Sequence, residues 1–181
     1  MTTAPKGYTP GPANLARVEK NGDDWQLVVV RQLAHPPEKV WRALTDPAQL
    51  RQWAPFDADA DLGIAGSTVK LNTVGTPKPM VSETRIERAE APRLLEYSWG
   101  DGHLRWQLED FDGGTRLTLW HGIDRSHIAM GAAGWQLCLD SLDQWLGGTP
   151  LGRMVGPQMM QFEGWQRLRA DYARQFGVDA S

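Results

Sequence analysis

Hydrophobic and polar residues alternate along several short stretches of the chain, as expected of strands with one buried face. Residues 115–121 show this alternation most clearly, around Leu117 and Leu119. Glycine-containing turns such as Asn21-Gly22 and residues 112–114 separate neighbouring stretches and suit tight hairpins. The strands predicted in this way cover residues 15–20, 25–33, 67–73, 80–90, 94–99, 103–111 and 115–121.

Four other stretches place apolar residues three and four positions apart, which predicts helices. The first begins at Pro36-Pro37, and Asp46 then caps a short second helix over residues 47–53. A long third helix covers residues 128–146 and ends at Gly147. A fourth helix after Pro157 has an apolar stripe that consists of Phe162, Trp165, Leu168, Tyr172 and Phe176.

Length and composition favour one ordinary globular domain with an extension. The chain has 181 residues, of which 41% are hydrophobic and 23% charged. A net charge of −3 argues against a nucleic-acid-binding module, which needs a basic surface. We expect no membrane span, because no apolar run approaches the roughly 20 residues required. The single cysteine, Cys138, allows no internal disulfide and favours the reducing cytoplasm.

Tryptophan is unusually frequent in this chain. Nine tryptophans stand against four phenylalanines and three tyrosines. Each indole brings a large apolar surface and one N–H group that needs an acceptor. The excess predicts an aromatic core, a ligand cavity, or both.

Four sequence segments in this order resemble a known superfamily. Residues 31–53 read Arg-Gln-Leu-Ala-His-Pro-Pro-Glu-Lys-Val-Trp-Arg-Ala-Leu-Thr-Asp-Pro-Ala-Gln-Leu-Arg-Gln-Trp, and residues 91–99, 114–122 and 134–142 match further segments. Together they resemble the SRPBCC (START/birch-pollen-allergen-like) superfamily. Within it, the chain is similar to the heat-shock-protein-90 ATPase activator homologue family over about residues 25–147.

The resemblance implies an α+β helix-grip fold, in which a curved antiparallel sheet wraps around a long C-terminal helix, with an extra C-terminal helix here. We expect a flexible arm over residues 1–14, the helix-grip domain over 15–147 and an extension over 148–181. The extension packs on the domain or on a partner, as in a homodimer. Residues 1–24 are too short to supply the separate N-terminal domain that the eukaryotic co-chaperone needs to bind its chaperone.

A helix-grip fold encloses a cavity between the concave face of the sheet and the long helix, and alternation indicates which side chains point into it. The alternative is that these side chains fill the interior completely. The predicted ligand-binding residues are Trp53, Phe56, Leu95, Tyr97, Trp99, Trp106, Leu119, His121, Trp135, Leu139 and Leu142.

We therefore expect the protein to bind a hydrophobic small molecule, without assigned chemistry. One alternative is an enzyme similar to polyketide cyclases, in which His121 and Tyr97 would be the catalytic candidates. Another alternative is a protein-interaction module similar to a co-chaperone. We expect neither metal nor cofactor, because the four histidines form no close-spaced pair and no phosphate-binding glycine loop is present.

Two polar residues on predicted strands need partners. His121 either acts as a general acid or base or is hydrogen-bonded to a backbone carbonyl. Arg31 lies in an otherwise apolar strand, where a buried cation must be paired. From the sequence we expect its partner to be Glu83, Glu96 or Glu109.

Overall fold

The structure is a computed structural model that describes residues 4–180. It confirms the α+β fold. The strands are β1 (Ala16–Asn21), β2 (Asp24–Leu33), β3 (Phe56–Ala58), β4 (Thr68–Thr73), β5 (Met80–Arg85), β6 (Arg88–Glu90), β7 (Leu94–Trp99), β8 (Gly102–Phe111) and β9 (Gly114–Gly122). The helices are α1 (Pro37–Thr45), α2 (Pro47–Leu50), α3 (Ile128–Leu146) and α4 (Glu163–Phe176). No helix among the described residues is long and apolar enough to cross a membrane.

The strands form two antiparallel sheets. The larger has the order β1-β2-β9-β8-β7-β6, and the smaller has the order β3-β4-β5. The stretch predicted as one strand over residues 80–90 is divided between them. Its backbone changes partner in the middle, since Ile86 N donates to Ser67 O and Glu87 N donates to Glu96 O. β3 was not predicted, because three residues are too few to show a period.

The large sheet wraps around α3, whose bounds agree with the prediction from the sequence. This arrangement gives Arg31 of β2 its partners. Its guanidinium donates to Asp140 at 2.6 Å and to Asp143 at 3.1 Å, both on α3. The expected pairing of Arg31 with Glu83, Glu96 or Glu109 was therefore wrong. The Arg31 side chain points into the concave face of the sheet, where it contacts α3 and not the neighbouring strands.

Both ends of the chain pack on α3. Gln136 of α3 donates to the backbone oxygens of Gly11 and Pro12 at 3.2 and 3.1 Å, and the Tyr8 hydroxyl donates to Asp140. The segment expected to be a flexible arm thus lies hydrogen-bonded along the helix, although its residues 1–3 fall outside the described part. α4 packs on the same helix, and its Tyr172 donates to Gln136. Ser181 of the predicted extension also lies outside the described residues.

Candidate functional site

The space between the sheet and the middle of α3 is filled by side chains. Trp53 and Trp106 meet edge to face with ring centroids 6.0 Å apart, and Phe56 and Tyr97 do so at 6.2 Å. Rings at these distances are in direct contact, so side chains occupy the space between them. Eight of the eleven predicted ligand-binding residues lie in this solid interior, each no more than 1% exposed: Trp53, Phe56, Leu95, Tyr97, Trp106, Leu119, Leu139 and Leu142.

A cavity of about 420 Å³ lies beyond this interior, beside the N-terminal half of α3. Trp99, His121 and Trp135 line it, and they are the three predicted ligand-binding residues that the structure brings together there. Ligand binding by any predicted residue remains a prediction. The lining residues that were not predicted are Pro55, Thr73, Val74, Thr76, Ile123, His127, Met130, Gly131, Gly134, Cys138, Met154, Val155, Gly156, Pro157, Met159, Met160 and Trp165.

The cavity exists because the stripe of α3 that faces it carries small side chains. Gly131, Gly134 and Cys138 recur at helical spacing along this stripe. A Cβ atom added to Gly134 would meet no atom within 4 Å, so this glycine borders open space. Glycine inside a helix costs about 1 kcal/mol relative to alanine. The two mid-helix glycines were the signal in the sequence that could have located the cavity.

Three aromatic rings form the inner wall. The Trp135 Nε1–H group donates to His121 Nδ1 at 3.0 Å, and Trp99 stacks on His121 with ring centroids 5.9 Å apart. Trp99 Nε1–H donates to Thr73 Oγ1 at 2.8 Å. Both indole N–H groups therefore have their acceptors within the protein.

His121 is poorly suited to move protons. Burial lowers its pKa to about 4, so the ring is neutral at neutral pH. The lone pair that would accept a proton is on Nδ1, where it already accepts from Trp135. The expectation of a backbone carbonyl as partner was wrong, because the partner is an indole donor.

The second catalytic candidate, Tyr97, lies away from the cavity. Its hydroxyl is buried and accepts from Trp106 Nε1–H at 3.2 Å, and burial raises its pKa. Cys138 does line the cavity, but burial raises the pKa of its thiol to about 12. A thiol of this kind stays protonated and is a weak nucleophile.

The outer wall of the cavity comes from the segment between α3 and α4. Arg153 fixes this segment to the start of the small sheet. Its guanidinium donates to the backbone oxygens of Ala54 and Phe56, each at 3.0 Å, and pairs with Asp57 at 2.7 Å. Met154, Met159 and Met160 then contribute flexible apolar side chains to the wall.

No aspartate, glutamate, lysine or arginine is among the lining residues found in the described part of the chain. A charged occupant would lose its hydration there without gaining a counter-charge, which costs several kcal/mol. The wall consists mainly of tryptophan, methionine, valine, proline and glycine. Such a wall favours a neutral and mainly apolar occupant.

A group of possible metal ligands lies elsewhere, on the large sheet and the connection before it. Glu87, Glu96 and His103 place one ligand atom each within 4.8 Å of the others. Arg88 and Arg105 approach Glu96 at 3.7 and 3.5 Å and neutralise its charge. These cations compete with a metal ion, and the group lies away from the cavity lining.

An antiparallel sheet wrapped around a long helix, with an apolar cavity at one end of that helix, defines a helix-grip protein. The family model described as "Activator of Hsp90 ATPase homolog 1-like protein" matches residues 34–147. This match covers more than half of the chain, and the chain belongs to this family within the SRPBCC superfamily. The resemblance found in the sequence is thereby confirmed.

Several solved structures share the fold. CalU16 from Micromonospora echinospora is 22% identical with a TM-score of 0.62, over 88% of this chain and 92% of that one. A conserved protein of unknown function from Enterococcus faecalis is 16% identical with a TM-score of 0.66, over 88% and 89%. A protein from Staphylococcus saprophyticus is 22% identical with a TM-score of 0.61, over 72% and 98%. No curated protein matches the chain at a significant level.

Proposed function

We propose that the protein binds a neutral, hydrophobic small molecule in the cavity between α3 and the segment that follows it. The observation that carries this proposal is the cavity of about 420 Å³ with uncharged, mainly apolar walls. Ligand pockets generally have volumes of about 300–1,000 Å³ and apolar linings with few polar groups. The cavity fits this description in both respects.

The cavity is partly open to solvent, and other grooves on the described chain reach about 460–580 Å³, so its apolar lining and not its size sets it apart. Protein interiors are close-packed, and voids larger than a water molecule are few. The aromatic interior next to the cavity is packed in this way, with Trp53 and Trp106 in edge-to-face contact. The chain keeps a glycine at Gly134, where a Cβ would meet nothing within 4 Å, although alanine would stabilise the helix there by about 1 kcal/mol. At Gly131 a Cβ would instead stand 2.8 Å from Ile123 Cδ1, so that glycine is needed for packing.

The wall also suits a range of occupants. Met154, Met159 and Met160 are unbranched and polarisable, so they adapt to ligands of different shape. Trp99 and Trp135 offer rigid aromatic faces on the opposite side. A molecule with one or two aromatic rings would contact both kinds of wall.

Binding can be measured with N-phenyl-1-naphthylamine, a neutral apolar probe that fluoresces in apolar surroundings. We expect saturable binding, with energy transfer from Trp99 and Trp135 to the probe. The matched variants are Gly134→Leu, which fills the cavity, and Gly134→Ala, which leaves most of it open. A Cβ at this position meets nothing within 4 Å, so Gly134→Ala does not disturb the packing there. The longer leucine side chain extends from the same position.

Gly134→Leu should lose probe binding, whereas Gly134→Ala should retain it and unfold at a higher denaturant concentration. The proposal fails if the wild type shows no saturable binding. It also fails if the probe binds Gly134→Leu as tightly as the wild type, because the probe then occupies another surface.

A further inference from the structure

One polar atom of the inner wall is left without a partner. His121 is 7% exposed, and its Nδ1 accepts from Trp135. Its Nε2 makes no hydrogen bond to any residue between 4 and 180. This nitrogen is not one of the fully buried side-chain atoms that lack a hydrogen-bond partner, so it remains accessible at the cavity wall. His121 Nε2 can therefore take a partner from solvent or from a ligand in the cavity.

The hydrogen bond at Nδ1 determines what Nε2 offers. An indole N–H only donates, so Nδ1 must present its lone pair to Trp135. In a neutral imidazole the single ring proton then resides on Nε2. His121 is thus held as a hydrogen-bond donor, with Trp99 covering its ring on one side.

Gly102, on the neighbouring strand, makes this position of the ring possible. A Cβ atom at Gly102 would stand 2.6 Å from His121 Nε2. Any other residue would force the ring to move. The missing side chain leaves the Nε2 edge of His121 free of neighbouring side-chain atoms on that side.

Two threonines of the wall already have hydrogen-bond partners of their own. Thr76 Oγ1 donates to Lys78 O at 2.6 Å, and Thr73 Oγ1 accepts from Trp99. Trp165, whose Nε1–H has no hydrogen-bond partner among residues 4–180, can only donate as well. His121 and Trp165 therefore offer donors to the cavity, whereas His127, bonded to Ser126 at the edge of the lining, can donate or accept.

We infer that the ligand is a neutral, mainly apolar molecule with a carbonyl-type oxygen that accepts a hydrogen bond from His121 Nε2–H. This inference rests on the proposed function and adds the chemical class of the ligand. A neutral oxygen fits better than a carboxylate, because no lysine or arginine is among the lining residues found in the described chain. Ketones, esters and amides with an aromatic or aliphatic body belong to this class.

The test compares two probes of nearly equal shape, 2-acetylnaphthalene and 2-isopropenylnaphthalene, which differ by an oxygen in place of a methylene group. Their affinities are measured by isothermal titration calorimetry for the wild type, His121→Phe and His121→Gln. We expect the ratio of acetyl to isopropenyl affinity to fall about tenfold in His121→Phe, the usual effect of one buried hydrogen bond. His121→Gln should restore part of the ratio, because its amide can accept from Trp135 and still donate.

The outcomes separate this inference from the proposed function. If neither probe binds the wild type, the proposed function fails. If both bind and the ratio is the same in His121→Phe, the cavity is a binding site but the inference is wrong.

A measurement on the wild type alone covers the case in which His121→Phe does not fold. Nitrogen-15 NMR should show a protonated Nε2 and an unprotonated Nδ1 in His121. The Nε2–H proton should shift on addition of 2-acetylnaphthalene and not on addition of 2-isopropenylnaphthalene. A proton on Nδ1, or equal shifts with both probes, would overturn the inference.

Discussion

Gly75 and Gly156 meet backbone to backbone at the rim of the cavity. A Cβ atom on Gly75 would stand 2.6 Å from the Gly156 Cα, and one on Gly156 would stand 2.9 Å from the Gly75 Cα. Both residues also have positive φ angles, of 80° and 89°. The loop between β4 and β5 is thereby joined closely to the outer wall of the cavity, and only glycine fits at either position.

Gly75→Ala should therefore destabilise the protein and loosen the outer wall. The strained φ costs about 1–2 kcal/mol, and the steric overlap adds about 1–3 kcal/mol. Gly113→Ala is the matched control, because Gly113 has a φ of 79° and nothing within 4 Å of an added Cβ. Urea denaturation should show the larger loss for Gly75→Ala. Equal losses in the two variants would mean that the contact with Gly156 contributes nothing.

The two carboxylates that bind Arg31 should differ in their effect on stability. Asp140 is 14% exposed and also accepts from Tyr8, whereas Asp143 is 33% exposed. Asp140→Ala leaves two part-buried donors, the Tyr8 hydroxyl and one Arg31 nitrogen, without their acceptor, which should cost about 2–3 kcal/mol. Asp143→Ala should cost less than about 1 kcal/mol, as for a more exposed pair. Denaturation of both variants decides this, and a larger effect of Asp143→Ala would contradict it.

The sequence pattern was sufficient to predict those elements whose structure is determined by neighbouring residues in the chain. The bounds of α3 agreed with the prediction, because its apolar spacing is regular and Gly147 follows its last turn. Residues 80–90 were misread, because the alternation says nothing about which sheet a strand joins. The change of partner between Ile86 and Glu87 depends on chain segments far away in the sequence.

The location of the cavity was harder to predict for the same reason. Alternation correctly indicated that Trp53 and Trp106 point inward, but it could not show that they fill the space between them. Trp165 was assigned to the packing face of a helix, and it also lines the cavity. Its position there depends on how the segment after α3 folds back, and this path has no periodic signal.

Cys138 should be nearly unreactive in the folded protein. Its thiol is the only one in the chain, and burial raises its pKa to about 12. With an ordinary thiol pKa near 8.5 after unfolding, the thiolate fraction at pH 8 differs by roughly a thousandfold between the two states. Iodoacetamide, which is neutral and small, should label the folded protein slower by about this factor than the protein in guanidinium. A difference below tenfold would show that the thiol is not buried as described.

The stability of the protein should fall as the pH drops from about 6.5 to about 4, partly because of His121. Burial lowers its folded-state pKa to about 4 from an ordinary value of 6.5. In this pH range the unfolded state binds a proton that the folded state does not, so protonation favours unfolding. The stabilisation is complete above pH 6.5 and is lost as the pH approaches 4. Its size is on the order of 3 kcal/mol.

His121→Gln removes this titration and keeps an acceptor for Trp135. The difference in free energy of unfolding between wild type and His121→Gln should therefore shrink or reverse between pH 6.5 and 4, by up to about 3 kcal/mol. The other three histidines and the carboxylates are common to both proteins, so their contributions cancel in the difference. Parallel stability curves over this range would mean that His121 accepts a proton in the folded state. A protonated ring carries hydrogen on both nitrogens and cannot accept from Trp135. The assignment of Nε2–H as the donor to the ligand would then lose its basis.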